Sequence, residues 1–154
     1  GVLLINTLAW AQESVSAKAM SMLADKAIVS RLTYMDQDIL NLILLGKVKF
    51  IDAKYNTQFS LNYELKKSFV CPINDETVLI HYVGPTKPWH YWAGYPSAQP
   101  FIKAKEASPW KNEPLMRPMN SNYARYCAKH NFKQNKPING IMNYIYYFYL
   151  KIIK

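Results

Sequence analysis

Val78-Leu-Ile-His-Tyr-Val83 leads directly into Gly84-Pro-Thr-Lys-Pro-Trp-His90. The first six residues form a short apolar, β-branched run closed by Gly-Pro, which predicts a strand. That strand delivers His81 to a Gly/Pro loop, and loops at strand ends are where α/β folds carry their chemistry. Gly84 lets the backbone approach an anion closely, Pro85 and Pro88 stiffen the loop, and Lys87 supplies a mobile point charge six residues after the histidine. A divalent cation on the imidazole with an ammonium nearby would trap a diphosphate, whose charge must leave with its nucleotide. A lone histidine at a strand end is more commonly a satisfied polar residue, and both meanings stay open at this point.

Upstream, Gly1-Val-Leu-Leu-Ile-Asn6 has the pattern of a buried strand, with Thr7 as N-cap of the turn carrying Trp10. Ser14 to Leu23 reads as a surface helix, and Asp36 to Leu45 as a second with Gly46 at C′. Lys47 to Asp52 alternates like a half-buried strand, whereas Tyr55 to Tyr63 has no clear period and is expected as loop. A buried opening strand wants covering on both faces, so the chain is expected to be the later part of a longer protein. Downstream of Tyr95, five prolines (96, 100, 109, 114, 118) punctuate an irregular stretch. Asn120 to Lys133 and Pro137 to Lys154 then read as helices, the last rich in Ile, Tyr and Phe. No internal repeat or low-complexity tract is present.

At 154 residues, half of them apolar and 19% charged, the chain is one domain's worth of polymer and too hydrophobic to be disordered throughout. The net charge of +9 is unevenly placed. Residues 1–77 balance, and the second half carries eleven basic groups against Glu106 and Glu113 alone. Cys71 and Cys127 are too few and too far apart for a disulfide scaffold or a paired-cysteine metal knuckle, which predicts two structural thiols in a reducing compartment. No apolar run is long enough to span a bilayer, since 138–153 is broken by Asn139, Gly140, Asn143 and Lys151.

His81-Tyr-x-Gly84-Pro-x-Lys87-Pro-Trp89 resembles the carboxy-proximal motif of the family 8 retaining glycosyltransferases. Residues 1–6 resemble the strand after that family's sugar-binding Asn, and Asp36-Gln37-Asp38-Ile-Leu-Asn41 resembles its Asp-Gln-Asp helix start. The likeness runs on through Lys54-Tyr-Asn-Thr-Gln-Phe-Ser-Leu-Asn62 and Ser108-Pro-Trp-Lys111, and it narrows to enterobacterial lipopolysaccharide outer-core glucosyl- and galactosyltransferases. It implies an α/β fold: the C-terminal part of a GT-A nucleotide-sugar transferase over residues 1–95, with an appended basic helical subdomain over 96–154. It also implies that His81 ligates Mn2+ or Mg2+, that Gly84 and Lys87 contact the diphosphate of UDP-glucose or UDP-galactose, and that Asp36 bonds hydroxyls of the donor sugar. Gln37 would lie at the anomeric carbon, where its weakly nucleophilic amide oxygen gives electrostatic help to an oxocarbenium-like centre. Asp36 also reads as an ordinary helix N-cap, and the two readings are compatible. Asp36-x-Asp38 matches the Asp-x-Asp metal motif letter for letter, but in the family that pair lies upstream of the strand resembled by residues 1–6, so no metal role is assigned to it.

From Lys111 onward eight basic side chains face Glu113 alone, a formal +7, interleaved with Tyr123, Tyr126, Phe132 and the cluster Tyr144 to Tyr149. Such a mixture suits the headgroup region of an anionic leaflet. It fits an enzyme acting on a lipid-anchored lipopolysaccharide core acceptor while docked on the cytoplasmic face of a bacterial inner membrane. The competing expectation is a helical hairpin that packs its aromatics inward and solvates its basic face. Nucleic acid is not expected, since no recognised motif for it is present. A non-catalytic basic module binding membrane or nucleic acid is the alternative to a transferase.

Overall fold

The computed structural model describes residues 2–153. They divide into two compact units, one ending at Asp52 and one beginning at Ala53. The first is helical. Four helices, α1 (Thr7–Gln12), α2 (Val15–Ala24), α3 (Lys26–Val29) and α4 (Met35–Ile43), follow one another with short turns. Asn6, not Thr7, caps α1, its Oδ1 accepting from Ala9 N at 3.1 Å. Asp25 does the same for α3 through Ala27 N at 2.8 Å. Helices α2 and α4 pack together, and Val15 and Ile39 are the buried apolar side chains of this unit among the described residues.

Two strand expectations fail here. Residues 2–6 are exposed and carry no strand, and Gly1 lies outside the described residues. Residues 47–52 form no strand either: Phe50 is 93% exposed. Alternation supplies an apolar face but not a ladder partner, and a lone strand has no place to pair its backbone. Helix α4 ends at Ile43 with Leu44 as cap, so Gly46 falls one residue beyond the expected C′ place. It still turns the chain, at φ +74°.

The second unit holds the strands. A 3-10 turn (Ala53–Asn56) leads into β1 (Thr57–Phe59), a second 3-10 turn (Leu61–Leu65) follows, and β2 (Ile80–Tyr82) pairs parallel to β1. Tyr55 to Tyr63 is thus not a loop, because Phe59 and Leu61 are both wholly buried. Burial of two such side chains contributes about 1.5–3 kcal/mol each. They form a core with Ala93, Tyr95 and Ala98, against which Ile73 and Tyr82 pack. Within the proline-punctuated stretch a short helix survives as α5 (Gln99–Glu106), its prolines confined to the entrance.

Helices α6 (Ser121–Lys133) and α7 (Pro137–Ile152) form an α-helical hairpin. Its punctuation is local chemistry. Asn120 Oδ1 caps α6 by accepting from Tyr123 N at 2.8 Å, Asn135 takes the left-handed conformation just past its end, and Pro137 opens α7. Buried Gly140 admits the Phe132 ring between the helices: a Cβ there would meet that ring at 2.6 Å. The aromatics of α7 are not all packed inward, since Ile141, Ile145, Phe148, Tyr149 and Ile152 are all more than half exposed.

Candidate functional site

The register Thr57↔Ile80, Gln58↔His81, Phe59↔Tyr82 fixes His81 in the middle of β2. Its Nδ1 lies 3.0 Å from Asn56 Oδ1, on the turn that feeds β1. An amide oxygen only accepts, so Nδ1 carries the proton and Nε2 presents the lone pair, the tautomer that a ligating or accepting imidazole requires. Burial chiefly, with a smaller effect of positive charge that includes Lys87, holds the ring below the usual histidine range and so favours its neutral form.

The chain then leaves the ladder through one more bond, Val83 N donating to Phe59 O at 2.9 Å. Gly84 sits at φ +82°, and a Cβ on it would meet Ser60 Oγ at 2.8 Å, so both conformation and space demand glycine. Lys87 N donates to His90 Nδ1 at 3.1 Å while His90 N donates to Lys87 O at 3.0 Å, closing a tight turn. The Lys87 ammonium reaches back to the Tyr82 carbonyl at 2.6 Å, beside His81 on the same strand. His90 is buried against Trp92, ring centroids 4.2 Å apart, and burial with the Lys87 charge pushes its pKa down to about 4.

A second, deeper set of bonds holds the loop from below. Thr86 Oγ1 donates to Asn62 Oδ1 at 2.7 Å, and His130 Nε2, on α6, lies 3.0 Å from Thr86 Oγ1 and 3.1 Å from Asn62 Oδ1. The Tyr95 hydroxyl lies 2.7 Å from His130 Nδ1. Thr86 and His130 are wholly buried, and burial, with His90 and Lys129 nearby, pushes the His130 pKa down to about 4.

His81, Gly84 and Lys87 are therefore joined on one strand and loop, with the charge of Lys87 felt at His81. Asp36 and Gln37 belong to the other unit, exposed in the first turn of α4. Asp36 is not the N-cap; that place is taken by Tyr34, whose side chain makes no cap bond. Asp38 anchors the helix start, its Oδ2 accepting from Thr33 N and Tyr34 N at 2.8 Å each. Among the described residues no three His, Cys, Asp or Glu side chains gather to hold a metal ion. His81 offers one nitrogen, which by itself does not fit a divalent cation. Both cysteines are free, Cys71 exposed and Cys127 buried. Asn56, Asn62, Tyr95 and His130 had no role in the sequence reading. The one available signal was the small-residue face of α6, where Ala124, Cys127, Ala128 and Asn131 mark the buried side that His130 adjoins.

Residues 1–93 match the model of glycosyl transferase family 8, and residues 95–151 match that of the glycosyl transferase family 8 C-terminal region. The chain belongs to glycosyl transferase family 8. It is 54% identical to lipopolysaccharide glucosyltransferase WaaO of Escherichia coli (strain K12), a match covering 99% of this chain and 45% of that protein. It is 50% identical to lipopolysaccharide 1,3-galactosyltransferase of Salmonella typhimurium, over 100% of this chain and 46% of that one. Lipopolysaccharide 1,2-glucosyltransferase of Escherichia coli is 37% identical over 98% of this chain and 46% of its own length. The chain thus spans under half the length of these curated relatives. No solved structure matches. No helix among the described residues is long and apolar enough to cross a membrane.

Proposed function

We propose that this chain supplies the later part of a retaining hexosyltransferase that moves glucose or galactose from a UDP-sugar to the lipopolysaccharide outer core. In this reading residues 1–95 complete a GT-A catalytic domain and residues 96–154 form its basic helical subdomain. The glycosyl C–O bond breaks with its electron pair leaving on UDP, and an acceptor hydroxyl oxygen bonds the anomeric carbon as its proton is released, so negative charge grows on the diphosphate and positive charge on the anomeric carbon. Lys87 and the backbone at Gly84 meet the first, and the amide oxygen of Gln37 meets the second. Asp36 accepts from hydroxyls of the donor sugar. Together with ligands from elsewhere in the longer enzyme, His81 would help hold a Mn2+ or Mg2+ ion through Nε2, and the ion would offset charge on the diphosphate. The observation that carries this proposal is the return of the Lys87 ammonium to the strand of His81 across a left-handed Gly84, which leaves an imidazole and an ammonium near an exposed glycine.

The acceptor is lipid-anchored, and the subdomain docks the enzyme on the cytoplasmic face of the inner membrane. Support comes from the exposed apolar face of α7 next to a basic segment, and from a groove of about 400 Å3 walled by Leu65, Phe132 and Tyr144 and flanked by Lys129 and Lys133.

The test joins this chain to the upstream half of its Escherichia coli relative. UDP release is then assayed with UDP-glucose and UDP-galactose, Mn2+ and a truncated core acceptor. Turnover with either donor is expected. A folded hybrid that releases no UDP from either would overturn the transferase in favour of a non-catalytic basic module.

A further inference from the structure

The two family matches meet at residues 93 and 95, yet the buried hydrogen bonds beneath the loop cross that border. Asn62 and Thr86 stand on the first side, Tyr95 and His130 on the second. Donors and acceptors close only one way. Thr86 has one hydroxyl proton and gives it to Asn62 Oδ1, which can only accept. His130 Nε2 must then carry the imidazole proton and donate it to Thr86 Oγ1 and Asn62 Oδ1. Its Nδ1 is left as the acceptor for the Tyr95 hydroxyl. A neutral ring in this one tautomer satisfies all four groups, and an apolar side chain of similar size could not.

Thr86 lies between Gly84 and Lys87, next to Lys87 and two residues after Gly84. Fixing its side chain from below fixes the backbone on either side, where Gly84 holds a left-handed φ of +82° and Lys87 is bonded to His90. We infer that His130, oriented by Tyr95, is a positioning residue of the Gly84–Lys87 loop, so that helix α6 takes part in donor diphosphate binding without touching the donor. The helical subdomain would then be a structural member of the active site as well as a membrane dock. This inference rests on the proposed diphosphate role of the loop.

The test uses His130→Asn, which cannot bridge Tyr95 to Thr86, and Tyr95→Phe, which removes only the hydroxyl donor and keeps the ring. In the chain itself, amide hydrogen exchange at Thr86 and Lys87 is expected to speed up about tenfold in either variant, with exchange in α7 unchanged. In the hybrid transferase, KM for the UDP-sugar is expected to rise several-fold with kcat for bound donor largely kept. Loop exchange at the parental rate, or acceleration spread evenly over the whole chain, overturns the inference. So does faster loop exchange with an unaltered KM, and Lys87→Ala then locates the fault. If Lys87→Ala raises KM where His130→Asn does not, the inference fails alone; if neither moves it, the loop is not the diphosphate site and the proposed function fails with it.

Discussion

At the scale of single residues the loop is held by conformation as much as by bonding. Gly84→Ala places a Cβ at positive φ and 2.8 Å from Ser60 Oγ. The backbone share of that cost is about 1–3 kcal/mol, read as a fall in thermal midpoint. Adding Ser60→Ala should recover the steric part and leave the backbone part, so the double variant stays below the parent. A second consequence concerns pH. His90 and His130 titrate near 4 in the folded protein, against 6.5 for the unreacted side chain, so the unfolded chain binds more protons between those values. Their contribution is complete above pH 6.5 and is lost as pH falls toward 4, on the order of 3 kcal/mol for each ring. Denaturant melts across that window should show stability rising with pH, and His130→Asn should flatten the slope. His81, Gly84 and Lys87 were legible in the sequence because their chemistry is compressed into seven residues. Asn62 and His130 were not, because 68 residues separate two atoms 3.1 Å apart.

Among elements, the α6–α7 hairpin was the most legible, since Asn120 and Pro137 announce its boundaries through capping and fixed φ. Helix α4 was also legible, although its start is anchored by Asp38 rather than by Asp36. Strand β2 was legible too, inside the run Val78 to Val83, but β1 was not. Lys47 to Asp52 alternates and forms no strand, while Thr57 to Phe59 lacks a period and forms one, because pairing with β2 through His81 and Tyr82 decides the matter and no local pattern encodes that partner. The hairpin itself makes a sharp prediction. Gly140→Ala drives a methyl into the Phe132 ring at 2.6 Å. Overpacking of this kind costs about 1–3 kcal/mol. Helical circular dichroism should melt earlier in Gly140→Ala, and Phe132→Ala in that background should restore part of the loss, whereas additive losses would mean that the two sites do not meet.

For the molecule as a whole, charge and apolar exposure coincide in the sequence after Lys111, which is the pattern of a reversible membrane dock. Each well-placed basic residue adds ~1 kcal/mol at an anionic surface, an attraction that salt screens. The chain should co-sediment with vesicles containing phosphatidylglycerol at low salt and be released at high salt. Ile145→Glu, on the exposed face of α7, should weaken binding at both. Indifference to anionic lipid would leave the basic segment as a solvated surface.

In the proposed transferase the imidazole on β2 is the group on which the chemistry depends most. In the hybrid transferase, the initial rate of UDP release measured against Mn2+ concentration, with the parent and His81→Ala side by side, examines that group directly. The account predicts a Mn2+ midpoint raised at least tenfold and a much reduced plateau in His81→Ala. A superimposable curve for the two proteins would contradict it.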